Sequence, residues 1–363
     1  MENENMTEKV LMTGNLAAAE GAIYAGCKHY FGYPITPQSD VVEYFAEKLP
    51  QIGGEFVQAE SECTSINMLY GAAACGIRAM TSTSSPGYSL MQEGISHIAA
   101  AQLPCVIMHV QRGGPGSGTT QTAQMDYNQV VKGGGHGEYH LIVLAPSSVQ
   151  ELFDHVQLGF HLAEEYRNIA MILSDAIIGQ MKEDVELRTL DFGPAPEDRS
   201  WALKIHRSPR GKSAHVHSAV GIVGIYNDWL KEIQDKYDRI KRDEVRYQGH
   251  LLDDAELVLV SFGSSARAAM GACKLARDVG LKVGVFRPIT LWPFPERQLE
   301  ELAARVKKFL VIEDNLGQMV DDVRAAVAGQ AEVNFMGILS RHMPDCNGMI
   351  LPDTIFEEVK RLL

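Results

Sequence analysis

Glu55-Phe-Val-Gln-Ala-Glu-Ser-Glu62 is a short apolar run that ends in a carboxylate, and the alanine-rich segment Cys63 to Gly76 follows it at once. A run of this length bounded by polar residues reads as a strand, and the segment after it is long enough for a helix. Glu62 therefore sits at a strand-to-helix junction, with small residues behind it that let backbones pack closely. Three more stretches repeat the layout. Gly32-Tyr-Pro-Ile-Thr-Pro37 is a strand-end turn with a hydroxyl at its tip, and Val110-Gln-Arg-Gly-Gly114 leads from a strand into a glycine loop. Between them, Thr81-Ser-Thr-Ser-Ser-Pro-Gly87 terminates a short strand, and Pro86-Gly87 turns its hydroxyls toward the same rim. Ligands of open α/β sheets bind at the carboxyl ends of strands, so Thr36, Glu62, the Ser/Thr cluster and Arg112 are expected to converge on one site.

Outward from these junctions, strand and helix patterns alternate as far as the strand Ala170–Leu173, which indicates a parallel sheet covered on both faces. Pro37 is placed in the first turn of a helix whose apolar positions Val41, Val42, Phe45 and Leu49 recur at helical spacing. Between Val110 and Leu141 lies a glycine-heavy loop, and so long a loop in a compact domain is usually functional. Prolines and a polar run break the rhythm after residue 190, and a charged segment with Trp229, Ile233, Tyr237 and Ile240 at helical spacing follows. A second α/β unit begins near Glu256. The expected organisation is a ligand-binding domain over 1–190, a linker and bridging helix over 191–252, and a smaller α/β domain over 253–363.

A net charge of −13 over 363 residues argues against a nucleic-acid partner and against adhesion to an anionic membrane. No apolar run is long enough to span a bilayer, and the acidic start Met1-Glu-Asn-Glu4 is unlike a signal peptide, so a cytoplasmic protein is expected. The six cysteines are scattered without a CxxC, so neither a zinc site nor an iron–sulfur cluster has its usual ligand spacing, and most of them read as small buried hydrophobes. No metal ligand is assigned to this chain. Gly211-Lys-Ser213 resembles the end of a phosphate-binding loop, but His206 stands where that loop needs a glycine. His215-Val-His217 has alternate spacing without a nearby acidic or cysteine ligand, and Gly113 to Gly118 carries a proline and opens no helix.

Each rim residue has an ordinary role beside the chemical one. A carboxyl at the foot of a helix among Ala and Gly should be partly desolvated, which raises its pKa and suits proton exchange near neutral pH; equally, Glu62 could simply interact with the helix dipole. Arg112 could grip a carboxylate bidentately or form a surface salt bridge. Thr36 could cap the helix that follows it.

Taken together, Tyr33-Pro-Ile-Thr-Pro37, Gln58-Ala-Glu-Ser-Glu62, Thr81-Ser-Thr-Ser-Ser-Pro-Gly87 and Arg112-Gly-Gly-Pro-Gly116 resemble the alpha subunit of 2-oxoacid:ferredoxin oxidoreductases. Ser261-Phe-Gly-Ser-Ser265 and Phe286-Arg-Pro-Ile-Thr-Leu-Trp-Pro-Phe-Pro295 resemble that family's transketolase C-terminal-like domain. The run Lys132-Gly-Gly-Gly-His136-Gly137 and the unfused length are most similar to subunits for branched-chain substrates such as 2-oxoisovalerate, with 2-oxoglutarate enzymes, another thiamine-dependent subunit or a non-catalytic scaffold as alternatives. The resemblance implies a pyrimidine-type thiamine-diphosphate-binding domain in which Glu62 hydrogen-bonds the pyrimidine ring nitrogen, with Pro34, Ile35, Ser85 and Gly87 also at the cofactor. It implies that Arg112 orients the substrate carboxylate and that Thr36 helps position substrate or cofactor. The Gly-Asp-Gly motif of the diphosphate-and-magnesium half is absent. A beta subunit is therefore expected to supply Mg2+ and the diphosphate site. A gamma subunit and a ferredoxin-like delta subunit would complete the coenzyme A site and the [4Fe-4S] path to ferredoxin. Substrate choice is not legible, and Met125, Tyr127 and Tyr88 are either acyl-pocket or core residues.

Overall fold

The computed structural model describes residues 9–194, 196, 198–203, 216, 218–219, 225–340 and 349–363, so Gly211-Lys-Ser213, His215, His217 and Cys346 lie outside the described residues. In chain order the elements begin β1 (Lys9–Thr13), α1 (Gly14–Tyr24), β2 (His29–Gly32), α2 (Ser39–Gln51), β3 (Glu55–Gln58), α3 (Glu62–Ala74), β4 (Ala79–Ser84), α4 (Ser85–Ala100) and β5 (Cys105–Gln111). They continue with α5 (Tyr127–Val131), β6 (Ile142–Leu144), α6 (Val149–Tyr166), β7 (Ile169–Asp175), α7 (Ala176–Gln180), β8 (Lys182–Glu186) and α8 (Ile225–Asp243). Then come β9 (Tyr247–His250), β10 (Leu257–Val260), α9 (Gly263–Asp278), β11 (Val283–Pro288), β12 (Thr290–Trp292), α10 (Glu296–Ala303), β13 (Lys308–Ile312), α11 (Met319–Val327), β14 (Glu332–Met336) and α12 (Pro352–Leu362).

The first half builds a seven-stranded sheet in the order β12-β6-β7-β5-β4-β2-β3, parallel throughout except for β12. Its central strands β4, β5 and β7 are buried along their whole length, as a sheet covered on both faces requires. On one face α1 lies against α6, and small residues make that approach possible. A Cβ on Gly21 would stand 2.4 Å from the Phe153 carbonyl oxygen, and Ala17, Ala18, Ala19 and Ala22 are fully buried. The second half forms a five-stranded sheet, β14-β13-β10-β11-β9, in which only β9 runs antiparallel. Helix α8 turns Ile233, Tyr237 and Ile240 onto the larger core, and His140 N donates to Tyr237 Oη at 3.0 Å. Among the described residues no helix is long and apolar enough to cross a membrane.

Three local expectations change. Pro37 precedes α2 rather than opening it, and Gln38, not Thr36, is the residue before its first turn. The hydroxyls Thr81 to Ser84 are fully buried within β4 instead of lying at its rim. Small side chains tolerate that position because partners from other elements satisfy some of them: Ser82 Oγ meets Tyr30 Oη at 2.6 Å and donates to Gln38 Oε1 at 2.5 Å. Pro86 and Gly87 belong to the first turn of α4, where a proline has no amide to lose. The ribbon of β1 with β8, the short helix α5 and the crossing of β12 into the first sheet have no counterpart in the sequence reading.

Candidate functional site

β3, β2, β4 and β5 are consecutive neighbours in the large sheet, and all four are parallel. Their carboxyl ends therefore open on one edge, with adjacent strands ~4.8 Å apart. Glu62 follows β3, the Tyr33–Thr36 turn follows β2, Ser85 follows β4 and Arg112 follows β5. The topology brings the predicted residues to one rim.

Glu62 is the first residue of α3, capped by Ser61, whose Oγ accepts from Thr64 N at 3.4 Å. Its side chain is only 4% exposed. Among the described residues no donor reaches its carboxylate. Gly87, in the first turn of α4, is what makes room: a Cβ there would stand 2.3 Å from both Glu62 Oε1 and Thr83 Oγ1. Neither oxygen is sealed off completely, so this carboxylate, enclosed by protein but without a protein donor, keeps a face open to a ligand.

Arg112 leaves β5 buried rather than at the surface, which removes the salt-bridge alternative. Its Nη1 donates to Thr36 O at 2.7 Å and its Nη2 to Ser117 O at 2.9 Å, while Nε is buried with no partner. A guanidinium carries five N–H donors, so two carbonyls leave the fork largely free for a carboxylate. Behind Arg112 the loop closes on itself: Thr119 N donates to Gly113 O at 2.8 Å, and a Cβ on Gly118 (φ +54°) would overlap that carbonyl. Thr36 and Pro34 are exposed on their turn and Ile35 is half-buried. Asn15 and Gln38 hold the turn from below, Asn15 Nδ2 donating to Pro37 O at 2.8 Å and Gln38 Nε2 to Tyr33 O at 3.2 Å.

Several residues at or beneath the rim escaped the sequence reading. Asp126 Oδ2 accepts from Ser85 Oγ and lies 3.0 Å from Nε2 of the fully buried His109. Gln124 joins the halves of the chain: its N donates to Asp314 O at 2.8 Å and its Nε2 to Phe262 O at 2.9 Å, while Ser265 Oγ donates to its Oε1 at 2.9 Å. Asp175 and Asp314 flank this knot. Burial and the Asp175 carboxylate push the Asp314 acid up to about 8. These partners stand 17 to 190 residues apart, and no local motif announces them.

Tyr88 and Tyr127 are core residues, the first edge-on to His109 and the second donating to Asp322 at 2.6 Å. Met125 is half-buried, its Sδ accepting from Gly114 N at 3.3 Å. Cys27, Cys105 and Cys273 are buried, whereas Cys63 and Cys75 are exposed, contrary to the expectation of mostly buried thiols for those two. Among the described residues no cluster of His, Cys, Asp and Glu could hold a metal ion.

Residues 20–223 match the family described as "Pyruvate flavodoxin/ferredoxin oxidoreductase, thiamine diP-bdg", and residues 255–345 match "Pyruvate:ferredoxin oxidoreductase core domain II". The chain is 48% identical over 320 residues to the ketoisovalerate oxidoreductase subunit VorB of Methanothermobacter thermautotrophicus, covering 87% of this chain and 89% of that one. It is 38% identical over 366 residues to the 2-oxoglutarate synthase subunit KorA of Methanothermobacter marburgensis, covering 94% and 97%. Among solved structures it resembles the 2-oxoglutarate:ferredoxin oxidoreductase of Magnetococcus marinus with 2-oxoglutarate, coenzyme A and succinyl-CoA bound. There the TM-score is 0.82 at 25% identity, covering 99% of this chain and 66% of that longer one.

Proposed function

This chain belongs to the 2-oxoacid:ferredoxin oxidoreductase family as an alpha-type subunit, and from that premise we propose that it forms the pyrimidine side of a thiamine diphosphate site acting on a branched-chain 2-oxoacid. Carbon dioxide leaves, coenzyme A takes the acyl group, and two electrons pass singly to ferredoxin. The observation that carries this reading is the Glu62 carboxylate, free of protein donors and open to a ligand in a cradle that a Cβ on Gly87 would fill. That arrangement fits a ring nitrogen as its missing partner. Thiamine diphosphate, when bound, supplies the electron sink for decarboxylation. Glu62 holds the proton shared with the pyrimidine ring. Arg112 offers the N–H groups of Nη1 and Nη2 that its two carbonyl partners leave free to the substrate carboxylate, and Thr36, exposed and bonded to Nη1 through its carbonyl, helps position substrate or cofactor there. Pro34, Ile35, Ser85 and Gly87 shape the cofactor wall.

The partner arrangement follows from what this chain lacks. A beta subunit supplies the diphosphate and Mg2+ contacts, and gamma and ferredoxin-like delta subunits supply the remaining coenzyme A contacts and the clusters. Charge favours 2-oxoisovalerate over 2-oxoglutarate. Residues 33–38, 59–63, 83–89 and 113–126 contain no Lys or Arg, so these rim segments offer no cation besides Arg112 for a second carboxylate. An uncharged branched side chain needs none. The complex copurified through this chain, assayed for ferredoxin reduction with a panel of 2-oxoacids, is expected to prefer 2-oxoisovalerate in kcat/KM. A preference for 2-oxoglutarate would overturn the substrate assignment while leaving the reaction class in place.

A further inference from the structure

The ladder between β5 and β7 ends at Gln111 opposite Asp175, so Arg112 is the first residue beyond the sheet. Its backbone amide takes its partner from a side chain: Arg112 N donates to Ser85 Oγ at 3.0 Å. Ser85 Oγ in turn lies 3.2 Å from Arg112 O and donates to Asp126 Oδ2. One hydroxyl hydrogen cannot serve two acceptors equally, and the carboxylate is the stronger. The direction is therefore Arg112 N–H to Ser85 Oγ–H to Asp126 Oδ2, with His109 Nε2 at 3.0 Å from the same oxygen. Asp126 is itself fixed, since its backbone N donates to Gln111 Oε1 at 3.1 Å and Tyr88 packs edge-on against His109 at 4.6 Å between ring centres. Ser85 also opens α4, two residues before the Gly87 on which the Glu62 carboxylate rests.

We propose that Asp126 is a positioning residue: through Ser85 it sets the direction in which Arg112 leaves the sheet, and so aims the guanidinium at the substrate carboxylate. This rests on the substrate role given to Arg112 above. Asp126 touches neither substrate nor cofactor in this account. It accepts two hydrogen bonds on one oxygen, and the need is for that acceptor rather than for its charge. An amide oxygen can take both bonds, so Asp126→Asn should recover most of what Asp126→Ala loses.

The test uses the assembled complex. Asp126→Ala is expected to raise KM for the 2-oxoacid and lower kcat/KM on the order of tenfold to a hundredfold, the cost of misplacing an orienting group by about an ångström. KM for coenzyme A should not move. Ser85→Ala removes the bridging hydroxyl while keeping the backbone and Cβ that line the cofactor wall, and should reproduce the effect, which keeps the test open should Asp126→Ala fail to fold. In an Arg112→Ala background, Asp126→Ala should add no further loss, whereas an equal loss in both backgrounds would overturn the relay. Impairment in Arg112→Ala with none in Asp126→Ala or Ser85→Ala would sink the relay alone. An Arg112→Ala enzyme with unchanged KM would sink the substrate role of Arg112, and this inference with it.

Discussion

Glu62 has its carboxylate within a few ångströms of an unsubstituted glycine and a strand hydroxyl, and each of these neighbours can be perturbed separately. Glu62→Gln keeps volume and hydrogen-bonding reach but cannot exchange a proton. It is expected to lose on the order of a hundredfold or more in kcat, with an unchanged melting midpoint. Full activity in that variant, measured as 2-oxoacid-dependent ferredoxin reduction, would end the catalytic assignment. Gly87→Ala acts from the other side. Its methyl would meet Glu62 Oε1 and Thr83 Oγ1 at 2.3 Å, and Thr83 is fixed inside β4, so the carboxylate must swing away. Overpacking of this kind costs about 1–3 kcal/mol, so denaturant unfolding should show the loss alongside reduced activity. A stable, fully active Gly87→Ala chain would mean that the cradle is looser than the distances imply.

The seam between the two sheets is an assembly of elements rather than of one motif, and a pair of acids marks it. Asp175, at the end of β7, accepts from Ser264 N at 2.8 Å, while Asp314 follows β13 with Oδ1 buried and unpartnered. Burial, reinforced by the Asp175 charge, raises Asp314 from 3.8 to about 8. The folded chain therefore keeps a proton that the unfolded chain releases above its ordinary value. The contribution of Asp314 to stability is fully present below that ordinary value and is lost as pH rises through the window up to about 8. Asp314→Asn is neutral throughout, so its melting midpoint should gain relative to the parent chain as pH rises across this window. A constant difference between the two chains would assign the pH dependence elsewhere. At this scale the sequence was legible where periodicity is local: the order of strands and helices, and the rim they form, follow from apolar runs and from Gly and Pro punctuation. It was not legible where pairing is distant. Thr290–Trp292 joins β6 across the molecule, and the hydroxyls of β4 depend on Tyr30 and Gln38. Nothing local in the sequence marks Asp126 or His109, because the contacts that give them meaning arise only in the packed state.

At the scale of the whole molecule, the Glu62 carboxylate and the Arg112 guanidinium stand on the rim with no Lys or second Arg in the rim segments to meet a diphosphate. Gly-Asp-Gly is absent from the chain, and the described residues include no metal-binding cluster. The exposed turn at Pro34 and Thr36 and the exposed loop from Gly114 to Gln121 border this rim, so a second polypeptide can approach without unfolding either. A small-molecule site normally buries most of its ligand, and an open edge with two functional groups cannot do that alone. The isolated chain should therefore show no 2-oxoacid oxidation when given thiamine diphosphate, Mg2+, coenzyme A and a viologen acceptor. Activity should appear only on addition of the partner chains, and titrating those partners should saturate at a fixed stoichiometry. Turnover by the isolated polypeptide under those conditions would contradict the divided site. It would also require a diphosphate-binding surface outside the rim segments, which carry no Lys and no Arg besides Arg112.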